Sequence, residues 1–455
     1  MALKLPICIV GAGAAGLSAV YQLMKLPDIP DIICYEKQDT WGGIWNLSWR
    51  VGVDEYGEPA HNTTYKHLWT NGPKEVFEYP DYSFEDHFGK ITASYAPRAA
   101  IRDYIEGRFG RIPDLKEKIR FHTVVRLVEY DEDNDVFHVT TADLKTGAME
   151  HMDFSHVIVA SGVFCYPNTP EISGIETFEG RIMHSHDFKN PEELRGQTVL
   201  IIGAGWSAED IAVLGVKFGA KMIYLSYRSV PIGKKWPIGK GWPSSVHEHP
   251  MVEKFEGNTA FFKDGASAQV DTVLFATGYQ SLFPFLDEKL AISKETSFYP
   301  EKIYKAALRI GVANHKLFFL GTHAGLFSFS LFDNVAAWIA KYIMNLIPDE
   351  PKSIADMESH SKKLVKRGNE LKEFVSIATF QKDIMLELAA DAGYQTTASE
   401  LMQTFEVWKK YRTDANCVTN GRHGQFRSSV TGNLGHDIPP YISIFDDSLE
   451  TWLQY

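Results

Sequence analysis

Two stretches decide the fold: "ICIVGAGAAGLSA" (Ile7–Ala19) and "VLIIGAGWSAEDIA" (Val199–Ala212). Each reads as a short apolar strand, a glycine turn and the first turns of a helix. The first spaces its small residues as Gly11-x-Gly13-x-x-Gly16, with Ala15 beside the last. The second runs Gly203-Ala204-Gly205-x-x-Ala208. Glycine is needed at the tight turn and where backbone must approach a pyrophosphate, and the third small residue lets helix and strand touch. The helix N-terminus then offers unpaired N–H groups and a partial positive charge to phosphate. A glycine turn by itself is an ordinary loop. The strand before it and the helix after it raise the reading to a dinucleotide fingerprint.

Further apolar runs ending in glycine or a turn follow the same grammar, among them "DIICYE", "HVIVASG", "MIYLSYR", "TVLFATG" and "LFFLGTH". Strand–turn–helix alternation predicts an α/β protein with parallel sheets. The Pro-rich segment "VFCYPNTPEISG" reads as a linker, and a second linker follows "FATGYQS". The expected organisation is therefore two dinucleotide-binding (Rossmann-like) domains. Residues 167–280 form the second, inserted into a larger first domain built from 1–166 and 281–455. "MESHSKKLVKRGNELKEF" and "LMQTFEVWKKYR" predict helices in the C-terminal third, and the last forty residues read as irregular.

Beyond the two loops the charge reverses. Glu36 stands twenty residues past Gly16, and Arg228 stands twenty residues past Ala208. A carboxylate there accepts ribose hydroxyls and repels a 2′-phosphate. A guanidinium pairs with that phosphate bidentately, and Ser207 and Ser229 can add hydroxyl contacts. Alone, Arg228 would read as a solvated surface arginine; its offset is what specifies it. The first site suits a free ribose, FAD or NAD, and the second suits NADPH. FAD is favoured for the first because that loop opens the larger domain. Two dinucleotide sites in one chain imply electron transfer between two cofactors.

Composition bounds the rest. The 455 residues are 44% hydrophobic and 23% charged, the balance of a globular chain with a sizeable core. A net charge of −12 argues against general nucleic-acid or anionic-membrane binding. Cys8, Cys34, Cys165 and Cys417 form no CxxC, so neither a disulfide framework nor a redox pair is expected. The N-terminal apolar run is needed as a strand and is not read as a signal peptide. "FSFSLFDNVAAWIAKYIMNLI" comes nearest to a membrane span, but Ser328, Asp333, Asn334 and Lys341 interrupt it, which predicts a core helix. A cytoplasmic protein with no membrane or nucleic-acid partner is expected. No HExxH, GxSxG or other metal or triad spacing is present.

The chain resembles the flavin-containing monooxygenase family, the class B flavoprotein monooxygenases. The resemblance spans most of the chain and is carried most specifically by Phe178-x-Gly180-x-x-x-His184-x-x-x-Phe188. A similar string ending in Trp marks Baeyer–Villiger monooxygenases, so Phe188 speaks for the former. "EKQDTWGGIWN" (Glu36–Asn46) and "FATGY" (Phe275–Tyr279) are further shared elements. Within the family, "HNTTYKHLWTNGPKE", "YPDYSFEDHFGK", "SAEDI" and "DDSLE" look like the bacterial trimethylamine monooxygenase type. That likeness puts Glu36, Gln38, Ile44, Trp45, His61, Val125 and Ser328 on FAD. It puts Trp69, Ser207, Arg228, Ser229 and Arg422 on NADP, and it assigns His184 to ordering the domain linker.

The activity implied is NADPH- and O2-dependent oxygenation of a soft nitrogen or sulfur nucleophile. The implied route is a C4a-hydroperoxyflavin shielded by bound NADP⁺, in a homodimer. Asn71 is the side chain the resemblance assigns to chemistry; the residues alone suit a plain Asn-Gly-Pro turn. The subgroup's aromatic substrate cage falls here on Trp206, Leu326 and Trp408, in a loop that also carries Ala324 and Gly325. The changes predict bulkier substrates than trimethylamine: sulfides, tertiary amines or a heterocycle such as indole. The alternatives are a Baeyer–Villiger monooxygenase, a flavin reductase or oxidase, a pyridine-nucleotide disulfide reductase, and a nucleotide-binding protein without catalysis.

Overall fold

The structure, a computed structural model, describes residues 5–232, 242–292, 298–322, 325–371, 373–414 and 422–455. Its framework is two largely parallel sheets, each built around one glycine-loop strand. In the first, Ile7–Val10 lies at the centre, paired in parallel with Ile32–Tyr35 on one side and His156–Val159 on the other. Ile119–Arg120 and Leu317–Phe319 extend it in parallel, and two short antiparallel strands complete a seven-stranded sheet. All four residues of each of the two glycine-side strands are buried, as a sheet covered on both faces requires.

The second sheet has five parallel strands in the order Val246–Pro250, Met222–Tyr227, Thr198–Ile202, Thr272–Phe275, Arg181–His184. All of them fall within the stretch read as the inserted unit. Where the chain enters and leaves that stretch, Tyr166–Pro167 and Tyr279–Gln280 pair antiparallel. The two linkers are thus one short ribbon. The sequence reading missed this ribbon, and it also missed the antiparallel sheet formed by Thr123–Asp131, Val136–Asp143 and Met149–Phe154.

The apolar run early in the C-terminal third forms a helix, Ser328–Ile343, packed on the first glycine-loop helix, Ala14–Met24. Its polar interruption has a structural use. Asp333 is fully buried and accepts two bonds from the Arg108 guanidinium, at 3.0 and 2.7 Å. Gln22 donates to it at 2.7 Å and Tyr394 at 2.8 Å. Arg108 also binds Asp81 at 2.7 Å and lies 3.8 Å over the Tyr79 ring. Removing one partner of such a buried pair costs about 3–5 kcal/mol, because it strands the other charge. Helices Ile354–Asn369, Phe374–Ala392 and Ala398–Asp414 follow as expected. The irregular tail ends in a buried anchor, Trp452, whose indole N–H donates to the Tyr95 carbonyl at 2.8 Å. Among the described residues no helix is long and apolar enough to cross a membrane.

Candidate active site

The first glycine loop opens onto a cleft of about 480 Å³, the size range of cofactor sites. Gly11 takes a positive φ of 102°, and a side-chain carbon there would meet the Ala160 carbonyl oxygen at 2.7 Å. At Gly16 it would lie 1.8 Å from the Gly11 oxygen, so helix and strand close on glycine only. Gly11, Gly13, Ala15, Glu36, Ile44, Trp45, His61, Val125 and Ser328 all line the cleft. Glu36 is buried and accepts the Ala12 and Gln38 backbone N–H groups at 2.7 and 2.9 Å, one on each oxygen. A second lone pair on each oxygen remains for a ribose diol. Burial raises its carboxyl above the usual range, and those two bonds oppose the rise. Burial, with Lys37 nearby, pushes His61 down to about 3, so it presents a neutral ring. The far wall is apolar: Phe285, Leu320, Phe329 and Phe332. The sequence reading missed it, since no local pattern marks residues that meet only in the fold. An acid, glycine backbone and an apolar wall fit an adenosine dinucleotide with a planar ring.

Gln38 does not line this cleft. Its amide bridges Asn62 at 2.8 Å and Asn46 at 3.0 Å, bracing the loop behind it.

The second loop is shaped the same way. Gly203 takes φ +134°, and a side-chain carbon there would sit 2.2 Å from the Ala276 carbonyl oxygen. Among the described residues, none beyond its chain neighbours and its own helix comes within 4 Å of where a methyl on Gly205 would be. Gly205 caps the helix Trp206–Phe218, which places half-buried Ser207 and Ala204 around its N-terminus. Arg228 and Ser229 stand exposed just past the strand Met222–Tyr227, whose Ser226 carbonyl accepts the Gly203 N–H at 2.8 Å. Open backbone, a helix N-terminus and an exposed arginine at the strand ends fit a 2′-phosphorylated dinucleotide. In the FxGxxxHxxx[FY] segment, the His184 ring packs edge-on against Tyr279 of the linker ribbon, 5.2 Å between centroids.

A small cavity of about 20 Å³ brings distant residues together: Asn71, Trp206, Glu209, Asp210, Val213, Arg412 and Arg422. Asn71 is exposed on a bend, with Gly72 lying against the Trp408 indole. Trp206 stacks on Trp408 at 6.4 Å and 21°, and Phe374 leans on Trp206 at 5.3 Å. The Trp408 N–H donates to the Tyr95 hydroxyl at 2.9 Å, which fixes the ring. Arg412 binds Glu209 at 2.6 Å. Arg422 donates to Asp210 and, at 3.1 Å, to the Thr70 carbonyl beside Asn71. Asp210 also accepts from the Tyr65 hydroxyl. The sequence reading missed Glu209, Asp210, Phe374 and Arg412; only the four-residue spacing of Trp408 and Arg412 on one helix face hinted at the last.

Leu326 lies apart from this cavity's lining, half-buried, its N–H bonded to Gln381 at 2.8 Å. Trp69 is packed in the core against Tyr441, and its indole N–H has no partner among the described residues. Ala324 and Cys417 lie outside the described residues.

Residues 4–246 and 244–402 match the flavin-binding monooxygenase-like family. The chain belongs to that family, and is a flavin-binding monooxygenase built on two Rossmann-type domains. Trimethylamine monooxygenase of Roseovarius sp. (strain 217) is 39% identical over 460 residues, spanning 99% of both chains. The crystal structure of Tmm from Pelagibacter sp. strain HTCC7211 superposes with a TM-score of 0.92 at 36% identity, over 98% of this chain and 100% of that one. S-allyl-L-cysteine S-oxygenase from Allium sativum gives a TM-score of 0.77 at 25% identity, over 91% of this chain and 94% of its own.

Proposed function

We propose that this chain is an NADPH- and O2-dependent monooxygenase that places one oxygen atom on a soft nitrogen or sulfur nucleophile. Amines, sulfides and an aromatic heterocycle such as indole are the candidate substrates. FAD and NADPH are its cofactors, FAD in the Glu36 cleft and NADPH at the Arg228 loop. The observation that carries the reading is the convergence of Asn71 with Trp206, the residue that follows Gly205 in the second glycine loop, on one small cavity.

The bound, reduced flavin supplies the activation of oxygen. The chain positions and shields the reactants. Glu36 holds a ribose, Gly13 and Gly205 let backbone approach phosphates, and Arg228 with Ser229 selects the 2′-phosphate. Asn71 can donate from Nδ2 to a reacting oxygen and accept at Oδ1 from an amide, without ionising. Trp206 lines the same cavity, and the Trp408 ring lies against Gly72, the residue after Asn71. His61 lines the first cleft ten residues before Asn71 lines the second cavity, so one segment serves both. Residues 167–280 form the NADPH domain in this reading, and 1–166 with 281–455 the FAD domain. The active unit is a cytoplasmic homodimer, which light scattering after size exclusion checks.

The test is FAD-loaded protein with NADPH and a panel of trimethylamine, thioanisole, dimethyl sulfide and indole. NADPH consumption matched by N-oxide, sulfoxide or hydroxylated indole supports the reading. NADPH consumption with no oxygenated product, or conversion of a ketone to an ester in place of these, overturns it.

A further inference from the structure

We propose that Arg412 sets the charge of the substrate: its guanidinium lies over both indole rings, so the site favours neutral soft nucleophiles over protonated amines. This rests on the reading of the Asn71 cavity as the substrate site. The Arg412 guanidinium lies 5.4 Å from the Trp206 ring centroid and 5.7 Å from that of Trp408. Those electron-rich faces are what would attract an alkylammonium ion, and the chain's own cation already engages them. Arg412 is held there by Glu209 at 2.6 Å, with both side chains nearly buried at 13% and 11% exposure.

The cavity's charges are matched before any ligand arrives. Glu209 is paired with Arg412, and Asp210 with Arg422. Among the described residues that line the cavity, an incoming ammonium therefore meets two guanidinium groups and two carboxylates already paired with them. Like charges about 5 Å apart in a partly desolvated site repel strongly. A sulfide or a free-base amine meets no such barrier and still finds the Asn71 amide. One acceptor is left over: Glu209 Oε2 is buried with no hydrogen-bond partner among the described residues. An N–H or O–H of an uncharged ligand satisfies it without adding charge.

The test compares trimethylamine with dimethyl sulfide, two small methylated nucleophiles that differ in protonation. FAD-loaded wild type is assayed from pH 7 to pH 9 beside Arg412→Met and Arg412→Lys, with product quantified. In wild type the amine KM falls as pH rises and free base accumulates, while the sulfide KM stays level. In Arg412→Met the amine-to-sulfide ratio of kcat/KM rises about tenfold or more at pH 7. Arg412→Lys keeps the charge and keeps the wild-type ratio. A level amine KM in wild type, which needs no variant, overturns the proposal. So does an unmoved ratio in FAD-loaded Arg412→Met. A merely structural role would lower both substrates together and leave the ratio alone. If wild type oxygenates neither compound, the functional reading fails and the proposal fails with it.

Discussion

The two outer glycines of the second loop separate folding from nucleotide binding, and alanine scans of the pair read the difference. Gly203 has φ +134° and a would-be methyl 2.2 Å from the Ala276 carbonyl oxygen. Alanine there costs about 1–3 kcal/mol for the backbone region alone, before the clash is relieved. At roughly 2–4 °C per kcal/mol, Gly203→Ala should lower Tm by about 2–12 °C, and by more once the clash is counted. Gly205 has an ordinary φ of −99°, and a methyl there would meet no described residue beyond its neighbours within 4 Å. Losing glycine as a helix cap costs under about 1 kcal/mol, and the stiffer unfolded chain returns about 0.4–1 kcal/mol. Gly205→Ala should therefore keep Tm within about 2 °C. Its methyl stands where backbone must approach the pyrophosphate, so the NADPH KM should rise about 10–100-fold, or about 1.4–2.7 kcal/mol. Scanning fluorimetry and NADPH-driven flavin reduction measure the two effects. A stable Gly205→Ala protein with an unchanged NADPH KM would refute the assignment of this loop.

Arg228→Ala should lower kcat/KM for NADPH about 10–100-fold, leave NADH within about twofold, and reduce the salt dependence, because one exposed charge-assisted contact is lost; equal losses with both nucleotides would place the 2′-phosphate elsewhere. Asn71→Asp should retain FAD and NADPH-driven reduction but lose product, since a carboxylate cannot donate a hydrogen bond; undiminished product formation would remove Asn71 from the chemistry. Burial, then the neighbouring His186, pushes His184 down to about 4 from an ordinary value near 6.5. Between those values the unfolded chain binds a proton that the folded chain refuses, so this contribution to stability is full above pH 6.5 and lost as pH falls toward 4. His184→Gln should flatten the fall of Tm between pH 6.5 and pH 5; an unchanged slope would show that His184 is not its source.

What the sequence made legible was local. A strand, a glycine turn, a helix and a charged residue at a set offset lie within thirty residues, and both units fold as their order requires. The helix at Ser328–Ile343 was legible from its apolar run; the reason for Asp333 inside it was not, because Arg108 is 225 residues away. The linkers could be seen as composition, but not as a ribbon, since pairing Tyr166 with Gln280 is a tertiary event. Trp206 stood out as a bulky residue in a glycine loop. That it stacks on Trp408, with Arg412 across both rings, required three elements to be placed in space. Gln38 shows the opposite limit: the family resemblance put it on the cofactor, while in the structure its amide is bound between Asn46 and Asn62.

The central claim is that this chain moves one atom of molecular oxygen to a soft nucleophile at the expense of NADPH. Turnover of thioanisole by FAD-loaded protein under ¹⁸O2 tests it most directly, with the sulfoxide read by mass spectrometry. One labelled oxygen in the product and one NADPH consumed per sulfoxide formed are expected. Unlabelled sulfoxide, or NADPH consumed with hydrogen peroxide as the sole oxygen product, would contradict it.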